Sequence, residues 1–142
     1  MAGKQSDPMK IRVLKESFSV CKVASYEGID LDAPFVFTGS TDMEKSLVCP
    51  TDRVPAITLA REDGWRAFRI EGQLDFSLVG ILARISSVLA AEKIGIFAVS
   101  TFDTDYILVK AENLERALVA LARAGYETGD GEEKPSRMYI HR

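Results

Sequence analysis

The densest group of residues that could do chemistry is the run Ser100-Thr101-Phe102-Asp103-Thr104-Asp105-Tyr106. It places three hydroxyls of Ser and Thr, two carboxylates and two aromatic rings within seven residues. A hydrogen-bonded turn needs only one or two such groups, because Ser, Thr and Asp readily bond their own backbone. The run lies between apolar segments, where surplus polar groups cost free energy unless something satisfies them. Its two interpretations are a polar turn and a ligand-binding site.

A free amino acid would match these groups in charge. Its ammonium needs carboxylate acceptors, for which Asp103 and Asp105 are the candidates. Its carboxylate needs amides of the kind that a helix N-terminus presents. The turn at residues 72–76 leads into a predicted helix, so we expect backbone amides near Asp75 to Ser77 to face that carboxylate. Three hydroxyls of the run would fix the orientation of the ligand: those of Ser100, Thr101 and Thr104.

Gly80 interrupts a Leu- and Ile-rich stretch of that predicted helix, one turn inside it. Glycine in a helix interior costs about 1 kcal/mol relative to alanine, so its presence calls for a compensation. Close approach of a ligand or of another backbone is one explanation, and tight packing of the helix on the sheet is the other. The sequence leaves both open.

The sequence contains few side chains that could act as catalytic groups. His141 is the only histidine and lies one residue from the C-terminus, where a solvated tail residue is expected. Cys21 and Cys49 are the only cysteines, and they lie in apolar, strand-like runs with no base beside them. We interpret them as buried thiols. Glycine-rich phosphate loops, HExxH and nucleophile-elbow motifs do not occur in the sequence.

The two aspartates of the run match no complete calcium or hydrolase site. Asp103 and Asp105 resemble the first two ligands of a calcium loop, but Leu108 and Leu114 stand where that loop demands Gly and Glu. A paired-carboxylate hydrolase would need substrate-positioning groups that do not accompany them. The sequence therefore predicts no enzyme activity, no metal and no cofactor, with an enzyme completed by a partner subunit as a weaker alternative.

Bulk properties exclude other classes of partner. The 142 residues carry a formal net charge of −3 and are 46% hydrophobic and 27% charged. The charges are interspersed, so no polybasic face indicates nucleic acid or an anionic membrane. The first ten residues are polar and no run of 18 apolar residues occurs, so neither a leader nor a membrane span is predicted. The expected location is the cytoplasm.

The elements that must position the run follow from periodicity. Residues Asp75 to Glu92 repeat apolar side chains at helical spacing, with Asp75 as the expected N-cap. Two apolar segments, Ile94 to Val99 and Tyr106 to Val109, flank the run as a hairpin. Trp65 to Glu71 alternates like a half-buried strand, and Asn113 to Gly125 predicts a second helix that ends at its glycine. The order strand, helix, strand, strand, helix is typical of ferredoxin-like α+β folds.

The first half of the chain is predicted to repeat this hairpin. A shift of 61 positions lays Phe35 to Cys49 on Ile96 to Lys110, with Asp42 on Asp103. A chance match over 15 positions of common residue types is the alternative. The repeat lacks the long helix, because Gly, Asp and Pro break residues 24–34. At most one helical turn is expected at residues 50–55, before a strand resumes at Ile57 to Ala60.

Two stretches of the second half carry a family resemblance. Residues 75–83 read Asp-Phe-Ser-Leu-Val-Gly-Ile-Leu-Ala, and residues 94–109 read Ile-Gly-Ile-Phe-Ala-Val-Ser-Thr-Phe-Asp-Thr-Asp-Tyr-Ile-Leu-Val. With Ser40 to Cys49 and Trp65, they resemble the ACT-like family, which includes small bacterial tandem-ACT proteins and the eukaryotic CASTOR arginine sensors. The resemblance covers roughly residues 10 to 126.

The resemblance implies two ACT-like units whose sheets join side by side, with an amino acid held at the interface by the strand-helix turn and the following hairpin. The glycine-bearing helix start and the Ser-Thr-Phe…Asp hairpin of the sensors map onto Gly80, Ser100, Thr101, Phe102 and Asp105. Those sensors carry four units, whereas this chain has room for two. A pocket completed by dimerisation and a vestigial pocket are therefore both open, and arginine does not follow as the ligand.

The sequence thus predicts an α+β, ferredoxin-like protein, a tandem repeat of two ACT-like βαββ units of which the first lacks its long helix. The first unit spans residues 10–62, the second 63–127, and a C-terminal tail 128–142. The predicted function is amino-acid binding by a regulatory sensor, with a protein-protein adaptor using the same hairpin and sheet edge as the alternative. A homodimer and a regulated protein partner are also expected. The predicted ligand-binding residues are Asp75, Phe76, Ser77, Gly80, Ser100, Thr101, Phe102, Asp103, Thr104 and Asp105.

Overall fold

The computed structural model describes residues 9–71 and 80–129. The helices of these residues are α1 (Ile81–Ala91) and α2 (Leu114–Arg123), and two short 3-10 turns lie at Thr51–Arg53 and Ala111–Asn113. The strands are β1 (Lys10–Val23), β2 (Phe37–Ser40), β3 (Lys45–Pro50), β4 (Ala60–Glu71), β5 (Phe97–Ser100), β6 (Asp105–Lys110) and β7 (Glu127–Gly129).

The strands form a single sheet in the order β2-β3-β1-β4-β6-β5, with β7 paired to β1. The long strands β1 and β4 pair antiparallel at its centre, and each carries a hairpin on its outer side. Strand β7 runs parallel to the start of β1. We call β1, β2 and β3 the first half of the sheet and β4, β5 and β6 the second half. The predicted α+β fold class is confirmed by this arrangement of helices and sheet.

Both helices cover one face of the second half. Alternation along β6 sends Ile107 and Val109 toward the helices and Leu108 toward the opposite face. Helix α1 contributes the fully buried Ile85 and Leu89, and α2 contributes two alanines and a leucine. Removing this apolar surface from water is the main favourable term that holds the helices on the sheet. The helical periodicity read from the sequence is thereby confirmed.

The start of α1 differs from the prediction. The described helix begins at Ile81, and its N-cap is Gly80, with a left-handed φ of +81°. Asp75 is therefore not the N-cap of α1, and Gly80 is not one turn inside it. A Cβ built on Gly80 would have no atom of the described residues within 4 Å, so tight packing of the helix on the sheet is also the wrong explanation for this glycine. The positive φ explains it, because that conformation is strained for residues with a side chain.

The first half of the sheet lacks a helix in the region where the second half has α1. Residues 24–36 hold turns, and the Gly, Asp and Pro content of residues 24–34 predicted that no helix forms there. This loop covers a small core that contains both cysteines; the core and its cover comprise Cys21, Val23, Tyr26, Ile29, Val36, Leu47, Cys49 and Val54.

Two further predictions concern the segment between β3 and β4. The single turn at Thr51–Arg53 confirms the short helix expected at residues 50–55. The strand expected to resume at Ile57 is wrong, because β4 begins at Ala60 and Ile57 is 83% exposed. Strand β1 ends at Val23, so residues 57 and 58 have no neighbouring strand to pair with.

The two hairpins repeat one turn, but at a different spacing from the one predicted. Thr41 N–H donates to the Glu44 carbonyl at 2.8 Å, and Thr101 N–H donates to the Thr104 carbonyl at 2.8 Å. The equivalent threonines are 60 residues apart, so the shift of 61 is wrong by one. Because side chains alternate between the two faces of a strand, a one-residue error places every aligned side chain on the wrong face.

The sheet extends into the segment predicted as a C-terminal tail. Thr128 and Gly129 belong to β7 and pair with Ile11 and Arg12 of β1. Neither helix in the described part of the chain is long and apolar enough to cross a membrane.

On the face opposite the helices, aromatic side chains of the first half of the sheet contact those of the second half. Phe35 packs edge-on against Phe18 and Tyr106 at ring-centroid distances of 6.2 and 6.3 Å, and Phe37 also contacts Tyr106. We call these four residues the aromatic seam. The β1–β4 pairing shifts register twice, and one shift lies at Gly64, whose φ of +88° suits a bulge. Bulges bend strands, and this bending brings the two halves together.

Candidate functional site

The hairpin tip at residues 100–105 is a self-bonded turn. The amide and the hydroxyl of Thr101 both donate to the Thr104 carbonyl, at 2.8 and 3.0 Å. The Thr104 amide donates in return to the Thr101 hydroxyl at 3.3 Å. The polar-turn interpretation therefore accounts for Thr101, because its hydroxyl is already committed to the turn.

Two more hydroxyls of the tip donate hydrogen bonds, one to β4 and one within the tip. The Thr104 hydroxyl donates to the Ile70 carbonyl at 2.9 Å, near the end of β4. The Ser100 hydroxyl donates to Asp105 Oδ1 at 2.6 Å across the last pair of the hairpin. Thr104 and Ser100 therefore fix the position of the tip and of its second carboxylate.

The remaining groups of the tip are available to a ligand. Asp103 is exposed and has no hydrogen bond to the described residues. Asp105 is half-buried and keeps acceptor capacity beyond its bond to Ser100, because an ionised carboxylate accepts about four hydrogen bonds. The Phe102 side chain is 90% exposed. The tip thus presents two carboxylates and one uncovered aromatic ring.

A charged network lies behind the tip, on the face opposite the helices. Arg69 Nε donates to Glu71 Oε2 at 2.8 Å, and Arg69 Nη1 donates to the Tyr106 hydroxyl at 3.2 Å. Arg12 of β1 forms an ion pair with the same oxygen of Glu71 at 3.1 Å. Arg12 and Arg69 are direct cross-strand neighbours, a like-charge pairing that is unfavourable unless a carboxylate lies between the two cations. Glu71 supplies that carboxylate.

The network shifts the pKa of Glu71. Burial raises the pKa of this carboxyl, but the hydrogen bonds from Arg69 and Arg12 lower it by more, and the pKa lies below its usual value. Burial lowers the pKa of Arg69, while its bonds to Tyr106 and Glu71 outweigh burial and raise it. Both groups are therefore charged at neutral pH, and the network is held by charge-assisted hydrogen bonds.

The predicted carboxylate-binding amides lie only partly within the described chain. Asp75, Phe76 and Ser77 fall outside the described residues. The first turn of α1 begins next to Gly80, has no side-chain cap and contains no acidic residue. The first N–H groups of a helix have no partner within the helix, and here none of the described residues bonds them.

A shallow cleft of about 220 Å³ adjoins Glu71 at the end of the sheet. Lys10 and Arg12 of β1 line it, together with Glu127 to Gly129 of the neighbouring strand β7. The cleft therefore contains both cations and carboxylates, which are the groups that would bind the carboxylate and the ammonium of a zwitterion. Within the described ranges, no group of three or more His, Cys, Asp or Glu side chains is placed to hold a metal ion.

Both cysteines are buried and free, as predicted. Burial and the neighbouring Cys21 raise the pKa of Cys49 to about 11, and burial raises the pKa of Cys21. A thiol is nucleophilic mainly as the thiolate, so neither group is activated.

Sequence reasoning missed Arg69, Glu71 and Arg12 as part of this site. Arg69 stood between two apolar residues and was explained by the solvent face of a half-buried strand. The cross-strand match of Arg69 with Arg12 depends on long-range register, which no local pattern discloses. The one available signal was the alternation of charged residues at 69 and 71 with apolar ones.

The sequence of this chain was compared with family profiles and with known proteins. The family profile of the ACT domain matches residues 60–123, from the start of β4 to the end of α2. The cytosolic arginine sensor for mTORC1 subunit 1 of Homo sapiens, and that of Bos taurus, is 35% identical over 83 residues. That match covers 58% of this chain and 25% of the sensor, so this chain corresponds to about a quarter of the length of these relatives.

Solved structures extend the likeness to most of the chain. Protein Atu0741 from Agobacterium tumefaciens is 33% identical, with a TM-score of 0.78 over 90% of this chain and 97% of that one. The ligand-free regulatory subunit of aspartate kinase from Thermus thermophilus is 13% identical, with a TM-score of 0.57 over 80% of this chain and 95% of that one. At that identity the second likeness concerns the fold alone.

Proposed function

The chain belongs to the ACT domain family, and from that premise we propose that it is a non-catalytic regulatory module that binds a free amino acid reversibly. The observation that carries the proposal is the hairpin tip, where Asp103 and Asp105 offer carboxylate oxygens beside the exposed ring of Phe102. A relative that is named as an arginine sensor and a fold shared with a regulatory subunit support the same class of function.

Each group of the site has a proposed role. Asp103 or Asp105 accepts hydrogen bonds from the ligand ammonium, because charge-assisted bonds of this kind are the stronger ones. Backbone amides near Asp75 to Ser77 and at the first turn of α1 donate to the ligand carboxylate. Phe102 covers the apolar part of the ligand. The hydroxyls of Ser100, Thr101 and Thr104 act by holding the tip in place, since the first two donate within it and the third donates to the Ile70 carbonyl of β4.

We also propose that the chain is a tandem of two ACT-like units, residues 10–62 and 63–127. In support, the strand order of the first half, β2-β3-β1, is matched by β5-β6-β4 in the second. The threonine turn that occurs in both hairpins also supports a repeat. The first unit has neither helix, so we propose one complete ligand site per chain, at the second unit. Each half ends in a four-residue edge strand, β2 or β5, whose outer edge pairs with no other described strand, and edges of this kind support dimerisation.

A thermal-shift screen of the purified protein against the twenty amino acids at millimolar concentration tests the proposal. A ligand at 100 times its Kd adds about 2.7 kcal/mol to the free energy of unfolding. For a chain of this size, that corresponds to a rise in Tm of about 5 to 10 °C. We expect a rise for one amino acid or one chemical class of them.

Matched aspartate variants localise the binding. Asp105→Ala and Asp103→Ala are expected to reduce the shift, whereas Asp42→Ala, at the tip of the first hairpin, leaves it unchanged. If all three variants keep the wild-type shift, the ligand binds elsewhere and the assigned roles are wrong.

The alternative function is a protein-protein adaptor that uses the same hairpin. Phe102, 90% exposed, and Met43, 81% exposed at the tip of the first hairpin, favour it, because exposed apolar tips suit a protein partner. An adaptor would show a flat thermal-shift profile with every amino acid. That result would contradict the sensor proposal and favour the adaptor.

A further inference from the structure

Arg69 bonds to two residues, Glu71 and Tyr106, that adjoin the two parts of the proposed ligand site in the chain. Its Nε holds Glu71, the last described residue of β4 before the segment that carries Asp75 to Ser77. Its Nη1 holds the hydroxyl of Tyr106, which directly follows Asp105 in β6. The guanidinium carbon also lies 5.9 Å from the centroid of the Tyr106 ring. One side chain therefore connects the end of β4 to the root of the hairpin tip.

On the basis of the proposed function, we infer that Arg69 is the positioning residue of the ligand site, which sets the distance between the end of β4 and the carboxylates of the tip. The side chain is 28% exposed, and Arg69 and Tyr106 are direct cross-strand partners, so its position is fixed by the sheet. Arginine suits this role because its planar fork holds two acceptors in fixed directions, whereas lysine is a point charge on a flexible stem.

The same contact extends to the first half of the sheet. Tyr106 packs against Phe35 and Phe37, both of which precede β3 in the chain. The Tyr106 hydroxyl and ring thus link Arg69 to the aromatic seam. Order at the hairpin tip therefore depends on Arg69 at one end of this link and on the seam at the other.

The test compares Arg69→Lys with Arg66→Lys. Arg66 lies on the same strand and donates to the Leu14 carbonyl at 2.9 Å, and it contacts neither Glu71 nor Tyr106. A third variant, Tyr106→Phe, keeps the ring in the seam and removes only the hydroxyl that Arg69 binds. Two quantities are measured: the affinity for the amino acid found in the screen, by calorimetry, and the hydrogen-exchange rates of the Thr101 and Thr104 amides without ligand.

Losing one charge-assisted bond is expected to weaken ligand binding about tenfold in Arg69→Lys, and Tyr106→Phe is expected to weaken it to a smaller extent. Both variants should also exchange the two tip amides several times faster than wild type. Arg66→Lys should change neither quantity. The amides of α2 should keep their wild-type rates in all three variants, which separates a local effect from a loss of the fold.

Equal behaviour of Arg69→Lys and Arg66→Lys would overturn the inference, and so would faster exchange with unchanged affinity. If wild-type protein binds none of the amino acids, the proposed function fails. The exchange rates alone then decide whether Arg69 positions the tip.

Discussion

The rings of Phe37 in β2 and Tyr106 in β6 lie with their centroids 5.1 Å apart, although β3, β1 and β4 separate their strands in the sheet. In a flat sheet with strands about 4.8 Å apart, β2 and β6 would be about 19 Å from each other. The sheet must therefore curl toward its helix-free face. The bulges in the β1–β4 pair provide the bend, and the aromatic seam fills the concave side.

Loss of the Phe37 ring should loosen this closure. Phe37→Ala removes the packing on Tyr106 and half-buried apolar surface, so we expect the free energy of unfolding to fall by about 2 kcal/mol. Denaturant unfolding followed by circular dichroism measures the change. Phe102→Ala is the matched control, because that ring is 90% exposed and its loss should change stability by less than about 0.5 kcal/mol. Equal effects of the two variants would mean that the seam does not hold the sheet closed.

Ser19 is a buried polar group whose hydrogen bonds should be measurable. Its side chain is fully buried on β1, donates to Asp63 Oδ1 at 2.6 Å and lies 2.9 Å from the Thr51 hydroxyl. Ser19→Ala should destabilise the protein by about 1 to 2 kcal/mol, because the buried hydroxyl loses its hydrogen bonds to Asp63 and Thr51. Ser87→Ala, on the exposed side of α1, should be neutral or slightly stabilising, since alanine is the better helix former. A neutral Ser19→Ala would show that water replaces the hydroxyl without cost.

Gly80 should resist substitution for a conformational reason. Its φ of +81° disfavours any residue with a Cβ, so Gly80→Ala should cost about 1 to 2 kcal/mol of stability. Gly95→Ala is the control, because a Cβ at that position meets no atom within 4 Å and no left-handed φ occurs there. Thermal unfolding of the two variants compares the costs. A tolerated alanine at position 80 would indicate that the start of α1 relaxes into a right-handed turn.

The charge of Glu71 should contribute to stability in a pH-dependent manner. Its folded pKa lies below the unfolded value, so its ionic contribution is fully present above the unfolded pKa, about 4.3, and is lost as pH falls through the folded pKa. Glu71→Gln should therefore be less stable than wild type by about 1 kcal/mol at pH 7. That difference should shrink below about pH 4 as the wild-type carboxyl becomes protonated.

Urea unfolding of both proteins from pH 7 to pH 3 measures this difference. Asp63, whose pKa is also lowered by its bonds to Arg61 and Ser19, is present in both proteins and cancels from it. If the stability difference between the two proteins is the same at every pH, the charge of Glu71 does not contribute to it.

The local features of this protein could be predicted from patterns of neighbouring residues. Apolar spacing disclosed the two helices, and the polar run between two β-prone segments disclosed the β5–β6 hairpin and its turn. The Gly, Asp and Pro residues of segment 24–34 also excluded a helix there, as the structure confirms. These features depend on neighbours within a few residues, so local sequence patterns are sufficient to predict them.

The contacts between distant strands became visible only in the folded chain. The pairing of Arg12 with Arg69, the 60-residue spacing of the two turns and the contact of Phe37 with Tyr106 depend on register between distant strands. A shift of one residue turns every side chain of a strand to the other face, and sequence patterns of apolar alternation leave such shifts open. The fold resolves them because only one register buries the apolar face of each strand and pairs its charges at the same time.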